Sequence, residues 1–192
     1  MPTFFSGLPV HVLVVHAVVV LVPLAVLGAV LIALWPAARR RHGWLVVAVA
    51  AVGTASIPIA TSSGEGLERH LPRTALLSAH THLGDQLLPF AALLLVAVAG
   101  LMLLDRHTTR PSLIDGDRQQ AAAPSGPGTM AAPARTPTWI RPAAAALSVI
   151  TVLLAVVTAV QVVRIGDSGA RAAWGGMQYV QQAPPHRPGA GD

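Results

Sequence analysis

The chain has 192 residues, 53% of them hydrophobic and only 11% charged, with a mean hydropathy of +0.60. Soluble domains carry roughly 25% charged residues, so these proportions exclude an ordinary water-soluble enzyme and point to the bilayer as solvent. Cysteine is absent, which removes disulfides, thiolate metal sites, iron–sulfur clusters, covalently attached haem and cysteine nucleophiles. The net charge of +5 comes from arginines in the connections between apolar runs, where membrane orientation accounts for it and a nucleic-acid partner does not.

In chain order, the first apolar run is Leu8 to Trp35, long enough to cross a hydrocarbon core of about 30 Å. Its first basic residue, Arg39, lies beyond the run, whereas a signal peptide is basic before a shorter core, so the segment is expected to be retained. A second span reads Trp44 to Ala60. A third reads His80 to Leu104, with Asp85 as its only acid, and a fourth reads Pro142 to Val163. Between the last two, residues 105–141 are rich in proline, glycine and small side chains and read as a flexible cytoplasmic linker. Residues 175–192 read as a disordered tail. The expected fold is therefore all-α, an integral membrane four-helix bundle over residues 1–174. No internal repeat is expected, because the outer histidine pairs of spans one and three differ in spacing (His11/His16 against His80/His82).

Arginine distribution sets the orientation. The first connection holds Arg39, Arg40 and Arg41, and the third holds Arg106, Arg110, Arg118, Arg135 and Arg141. The second holds Arg69 and Arg73, offset by Glu65 and Glu68. The positive-inside rule then puts connections one and three in the cytoplasm and both termini outside. Trp35, Trp44 and Trp139 fall at the same cytoplasmic interface, as an aromatic belt requires.

Antiparallel spans turn chain order into depth. His11 and His16 begin span one from outside, Ser62, Ser63 and Glu65 close span two there, and His80, His82 and Asp85 begin span three. Arg164, Asp167 and Ser168 end span four in the same outer layer, while the inner halves are almost wholly apolar. Intramembrane ionisable groups are costly unless paired or wet, so this layer is the candidate site. His11 and His16 are about 140° apart on a helix, so both can border a broad cavity but share no narrow stripe. His82, Asp85 and Gln86 share one face of span three, and His80 and Gly84 another. Bland readings stand beside these: an interfacial anchor for His11, a structural interhelical hydrogen bond for His16, a helix-start acid for Asp85, and solvated loop charges for Glu65 and Glu68. Pro23 and Pro58 lie inside spans one and two, where they can kink a helix. Gly166-Asp167-Ser168-Gly169 looks like a serine-protease nucleophile segment but lacks a β-rich setting, and reads instead as a glycine turn closing the fourth helix.

Four segments, Gly7-Leu8-Pro9-x-His11-x4-His16, Ser63-Gly64-Glu65-x-Leu67-Glu68, His80-x-x-Leu83-Gly84-Asp85 and Val160 to Ala170, occur in an order that resembles bacterial membrane proteins grouped as domain of unknown function 2231. The resemblance covers about Phe5 to Trp174. It implies a four-helix integral membrane protein, assigns no activity, and implies histidines at His11, His16 and His80. His82 stands where an acid or polar residue is usual.

Two functional readings follow; enzymatic activity stays open, with the residues leaning against it. In one, the protein is structural, sensory or partner-binding, and its outer histidine cluster hydrogen-bonds internally or responds to pH. A membrane protein partner or a homo-oligomer would then join the lipid bilayer as its surroundings. In the other, the bundle binds haem b or a divalent transition metal and has a redox role. Haem would take His16 and His80 as axial ligands, with His11 nearby; a metal would take His11, His16 and His80 with Glu65 or Asp85. A transporter is disfavoured by the apolar inner half, which offers no polar path.

Overall fold

The computed structural model describes residues 4–5, 8–69, 74–109 and 139–174. Most of the linker (110–138) and the tail from 175 onward lie outside the described residues. After a minimal antiparallel pairing of β1 (Phe4–Phe5) with β2 (Leu8–Pro9), the chain forms α1 (Val10–Leu34), α2 (Pro36–Glu68), α3 (Ala75–Asp85), α4 (Leu87–Thr109) and α5 (Ile140–Trp174). Four stretches, Leu13–Leu34, Pro36–Gly66, Ala75–Arg106 and Ile140–Trp174, are long and apolar enough to cross a membrane. The expected four-span all-α architecture is what the chain adopts.

Several boundaries differ from expectation, each for a local reason. Proline lacks the donor that a continuing helix needs but suits a first helical turn, so α1 stops and α2 starts at Pro36 with Trp35 alone between them. α3 begins behind an N-cap, Thr74, whose side chain accepts from the Leu77 amide. The third span is one stretch whose helix is interrupted at Gln86 alone, where Pro89 cannot donate to the Asp85 carbonyl four residues back and the Gln86 backbone stays right-handed. The fourth helix does not close at Gly166-Asp167-Ser168-Gly169. It runs on to Trp174, with the Ser168 hydroxyl donating to the Ile165 carbonyl (2.8 Å) and Arg171 paired to Asp167 one turn earlier (3.0 Å). Glu65 and Glu68 likewise belong to α2 and not to a loop.

Register follows from the contacts. His11 meets Ser63, and Gly28 faces Val46, the descending order of an antiparallel α1–α2 hairpin. His80 meets Ser168, and Gly100 faces Leu147, the same relation between α3/α4 and α5. The two hairpins pack so that α1 touches α5 and α2 touches α4, while α1 and α4 sit on a diagonal. One buried cluster, Val26, Ala29, Ile32, Val46, Leu94, Val98 and Ala155, fills the middle of the bundle. A second, Val18, Val22, Ile57, Ala60, Leu87 and Ala91, lies nearer the histidines. Leu27, Leu34, Val96 and Val163 are exposed on the outer faces, which is the arrangement lipid requires. Buried Thr151 and Thr158 satisfy their hydroxyls on the carbonyls of Leu147 and Leu154.

The end opposite the histidines is tied by charge. Arg39 is buried and faces Asp105 across the α2–α4 contact at 3.7 Å, and the Arg106 guanidinium lies 4.1 Å from the centre of the Trp44 ring. Gly43 lets α4 come close there, since a Cβ in its place would fall on the Met102 side chain.

Candidate cofactor site at the histidine end

At the histidine end the helices part around a cavity of about 390 Å³. Its floor is apolar: Val15, Val18, Ile57, Ala60, Leu87 and Ile165. Its polar lining comes from His11 on α1, Thr61, Glu65 and Glu68 on α2, and His80, Thr81 and Asp85 on α3. The floor residues are largely those of the second buried cluster, so the same packing that joins the two hairpins sets the depth of the cavity.

Each of the two histidines sits in the same small framework. His11 Nδ1 is 2.9 Å from the Ala60 carbonyl oxygen and 3.3 Å from Ser63 Oγ, while Ser63 Oγ donates to that same carbonyl at 2.9 Å. A carbonyl only accepts, so His11 Nδ1 carries the proton and donates. His80 Nδ1 is 3.1 Å from Ser168 Oγ, whose hydroxyl proton is committed to the Ile165 carbonyl at 2.8 Å. The Ser168 oxygen is thus left to accept, and His80 Nδ1 is the donor. In either ring an Nδ1–H tautomer leaves Nε2 with its lone pair. Glycine follows each serine for a steric reason: a Cβ at Gly64 would stand 3.0 Å from His11 Cε1, and one at Gly169 would stand 3.0 Å from His80 Cε1.

The remaining sequence candidates divide. Glu65 and Asp85 line the cavity from exposed positions at its mouth. His16 does not join them: it lies on an exposed face of α1 and is absent from the cavity lining. Of two residues about 140° apart, the α1–α2 register turns His11 inward, opposite Ser63 and Gly64. His82 is also exposed, with its Nδ1 3.3 Å from Gln86 Nε2. Gln86 in turn accepts from buried Gln161 Nε2 at 3.1 Å, which also reaches the Leu83 carbonyl at 3.5 Å. Gln161 therefore ties α5 to the interruption between α3 and α4. Among the described residues, no three His, Asp or Glu side chains gather closely enough to hold a bare metal ion. The five-residue donor set of His11, His16, His80, Glu65 and Asp85 is accordingly not assembled as one.

Sequence reasoning singled out the histidines and missed what holds them, namely Gly64 and Gly169 together with the supporting roles of Ser63 and Ser168. The signal was present as a Ser-Gly pair recurring at the histidine end of both α2 and α5.

The model of the family described as predicted membrane protein, domain of unknown function 2231 (DUF2231), matches residues 7–182. The chain belongs to that family. No curated protein and no solved structure matches it.

Proposed function

We propose that this member of the DUF2231 family binds a b-type haem at its histidine end, with His11 and His80 as axial ligands, and carries electrons at the membrane. One observation carries the reading. Both imidazoles donate from Nδ1 to a backbone-anchored oxygen, and this arrangement leaves Nε2 as a free lone-pair donor beside a cavity that both rings line. Metal-ligating histidines are oriented in just this way, by giving the other ring N–H to a carbonyl or a similar acceptor. Haem also suits the donor count, because the porphyrin supplies four nitrogens and needs only one or two ligands from the protein. The apolar floor favours a porphyrin over a hydrated ion. Placement between facing helices of a bundle agrees with how such cores build cofactor sites.

Bound haem would supply a one-electron couple. The chain's own part is to fix two neutral imidazoles, exclude water with the apolar floor, and present carboxylates at the mouth. Glu65, Glu68 and Asp85 would stabilise the more positive, oxidised state of the bound group. Arginine bias puts this end on the extracytoplasmic side, so the electron partner acts at that face or is a quinone in the adjoining leaflet.

The test is a dithionite-reduced minus oxidised visible spectrum of detergent-purified protein expressed with ample haem. A b-type band is expected in the wild type and in His16→Ala, and its loss in His11→Ala and in His80→Ala. A flat spectrum from folded wild-type protein would sink the haem reading and leave the histidine end as a partner-binding or pH-responsive surface.

A further inference from the structure

The two histidine frameworks coincide residue for residue. In α2 the order is a carbonyl at Ala60, serine three residues on at Ser63, then Gly64. In α5 it is a carbonyl at Ile165, serine three residues on at Ser168, then Gly169. Each serine hydroxyl donates back to its carbonyl, at 2.9 Å and 2.8 Å. Each serine oxygen stands 3.3 Å or 3.1 Å from the Nδ1 of one histidine. Each glycine leaves the same clearance, 3.0 Å, between an absent methyl and Cε1 of that histidine. The histidines come from the first helix of each hairpin, and the hairpins pack with exchanged neighbours, α1 on α5 and α2 on α4. Those are the relations of a pseudo-two-fold axis between the two hairpins; the cavity lies to the α2 side of it, lined by α2 from Ile57 to Glu68 and by α5 through Ile165.

We infer that the bundle is an internal duplication of a two-helix unit, and that Ser63 with Gly64 and Ser168 with Gly169 are equivalent positioning residues that hold His11 and His80 as matched Nδ1–H tautomers at one cavity. This rests on the reading of the cavity as a cofactor site and deepens it. Two equivalent half-sites imply that both imidazoles engage the ligand together. Haem held by both imidazoles would exchange electrons and leave no open position for oxygen or carbon monoxide.

The duplication escapes sequence comparison because only the functional atoms repeat. Along α1 and α3/α4 the spacing from histidine to the interhelical glycine differs, 17 residues from His11 to Gly28 against 20 from His80 to Gly100. The linker then lengthens the second hairpin's connection relative to the single residue joining α1 to α2.

The full chain in nanodiscs, labelled with 15N-histidine and free of haem, provides a readout that does not depend on the cofactor. Signals of His11 and His80 are assigned by their loss in His11→Gln and His80→Gln. Both rings are expected as Nδ1–H, Nε2-unprotonated tautomers. Gly64→Ala should shift the His11 ring signals and spare His80, and Gly169→Ala should do the reverse. Gly64→Leu and Gly169→Leu should each convert bound haem to a carbon monoxide-binding form. The alanine variants keep the test sound if the leucine variants do not fold. An Nε2–H tautomer at either wild-type ring overturns the inference, and so does a glycine substitution that moves the unfolding midpoint without moving its histidine's signals. Matched tautomers in a protein that takes up no haem would sink the haem reading alone.

Discussion

Asp105→Asn isolates the clasp between α2 and α4. Arg39 is 8% exposed, and its Nε stands 3.7 Å from an Asp105 carboxylate oxygen. At that separation two unit charges attract by about 4.5 kcal/mol at an effective dielectric of about 20. Two features reduce the net value. Arg39 Nε makes no hydrogen bond, and Asp105 keeps 24% of its side chain exposed, so water screens one partner. Neutralising Asp105 nonetheless leaves a guanidinium buried beside an amide. Breaking fully buried pairs costs about 3–5 kcal/mol, and the partial exposure here brings the expected loss to about 2 kcal/mol. Arg39→Met removes the buried charge itself and should cost less, about 1 kcal/mol. The double variant Arg39→Met/Asp105→Asn, with nothing charged left to desolvate, should recover most of the loss. Reversible unfolding in mixed micelles measures all four corners of the cycle. A coupling energy below about 0.5 kcal/mol, within the usual additivity error, would refute the argument that this pair holds the hairpins together.

Three further outcomes are expected. Gln161→Leu removes the donor that joins α5 to Gln86 and the Leu83 carbonyl, and should cost about 1 kcal/mol, the scale of interhelical hydrogen bonds in membranes, with faster amide exchange from His80 to Leu88; unchanged exchange there would contradict it. In haem-loaded protein, Glu65→Gln should raise the midpoint potential by about 20 mV, the equivalent of about 0.4 kcal/mol for one charge 10 Å away in water-like surroundings, and a lowered potential would contradict the sign. Because the chain has no cysteine, single cysteines report topology directly: a membrane-impermeant thiol reagent applied to intact cells should label Ser62→Cys and spare Ala37→Cys, and the opposite pattern would invert the orientation.

The spans were legible because lipid demands long apolar runs, and the runs of Leu, Val and Ala leave little alternative. The site was legible as a layer: polar groups on all four spans fell at one end of a bundle whose other half is apolar. Facing was not legible. His11 and His16 have equal claims by composition, and only the α1–α2 register, which puts Ser63 and Gly64 opposite His11, decides between them. Gly166 and Gly169 invited a helix stop because glycine favours caps. In the folded chain the Ser168 back-bond and the Asp167–Arg171 pair carry the helix through, and Gly169 makes room for a ring. The interruption at Gln86 could have been foreseen from Pro89, whose missing N–H falls opposite the Asp85 carbonyl.

Depth explains why the site lies where it does. His11 precedes Trp35 by 24 residues, about 36 Å of helix at 1.5 Å per residue. With Trp35 at one interface, a core of about 30 Å places His11 at the other boundary, within reach of water. Two half-buried imidazoles and three carboxylates would cost far more at the midplane. The apolar clusters below them are continuous with the rest of the bundle, so the cavity is shallow by construction and opens to one side only. The haem proposed above would, at that depth, be separated from the arginine end by nearly the full hydrocarbon thickness, too far for one group to carry an electron across. Under that proposal exchange would occur with a partner on the histidine side, and the arginine end is a mechanical anchor: Arg39 with Asp105 and Arg106 on Trp44 hold the hairpins closed there, while the opposite end parts around the cavity.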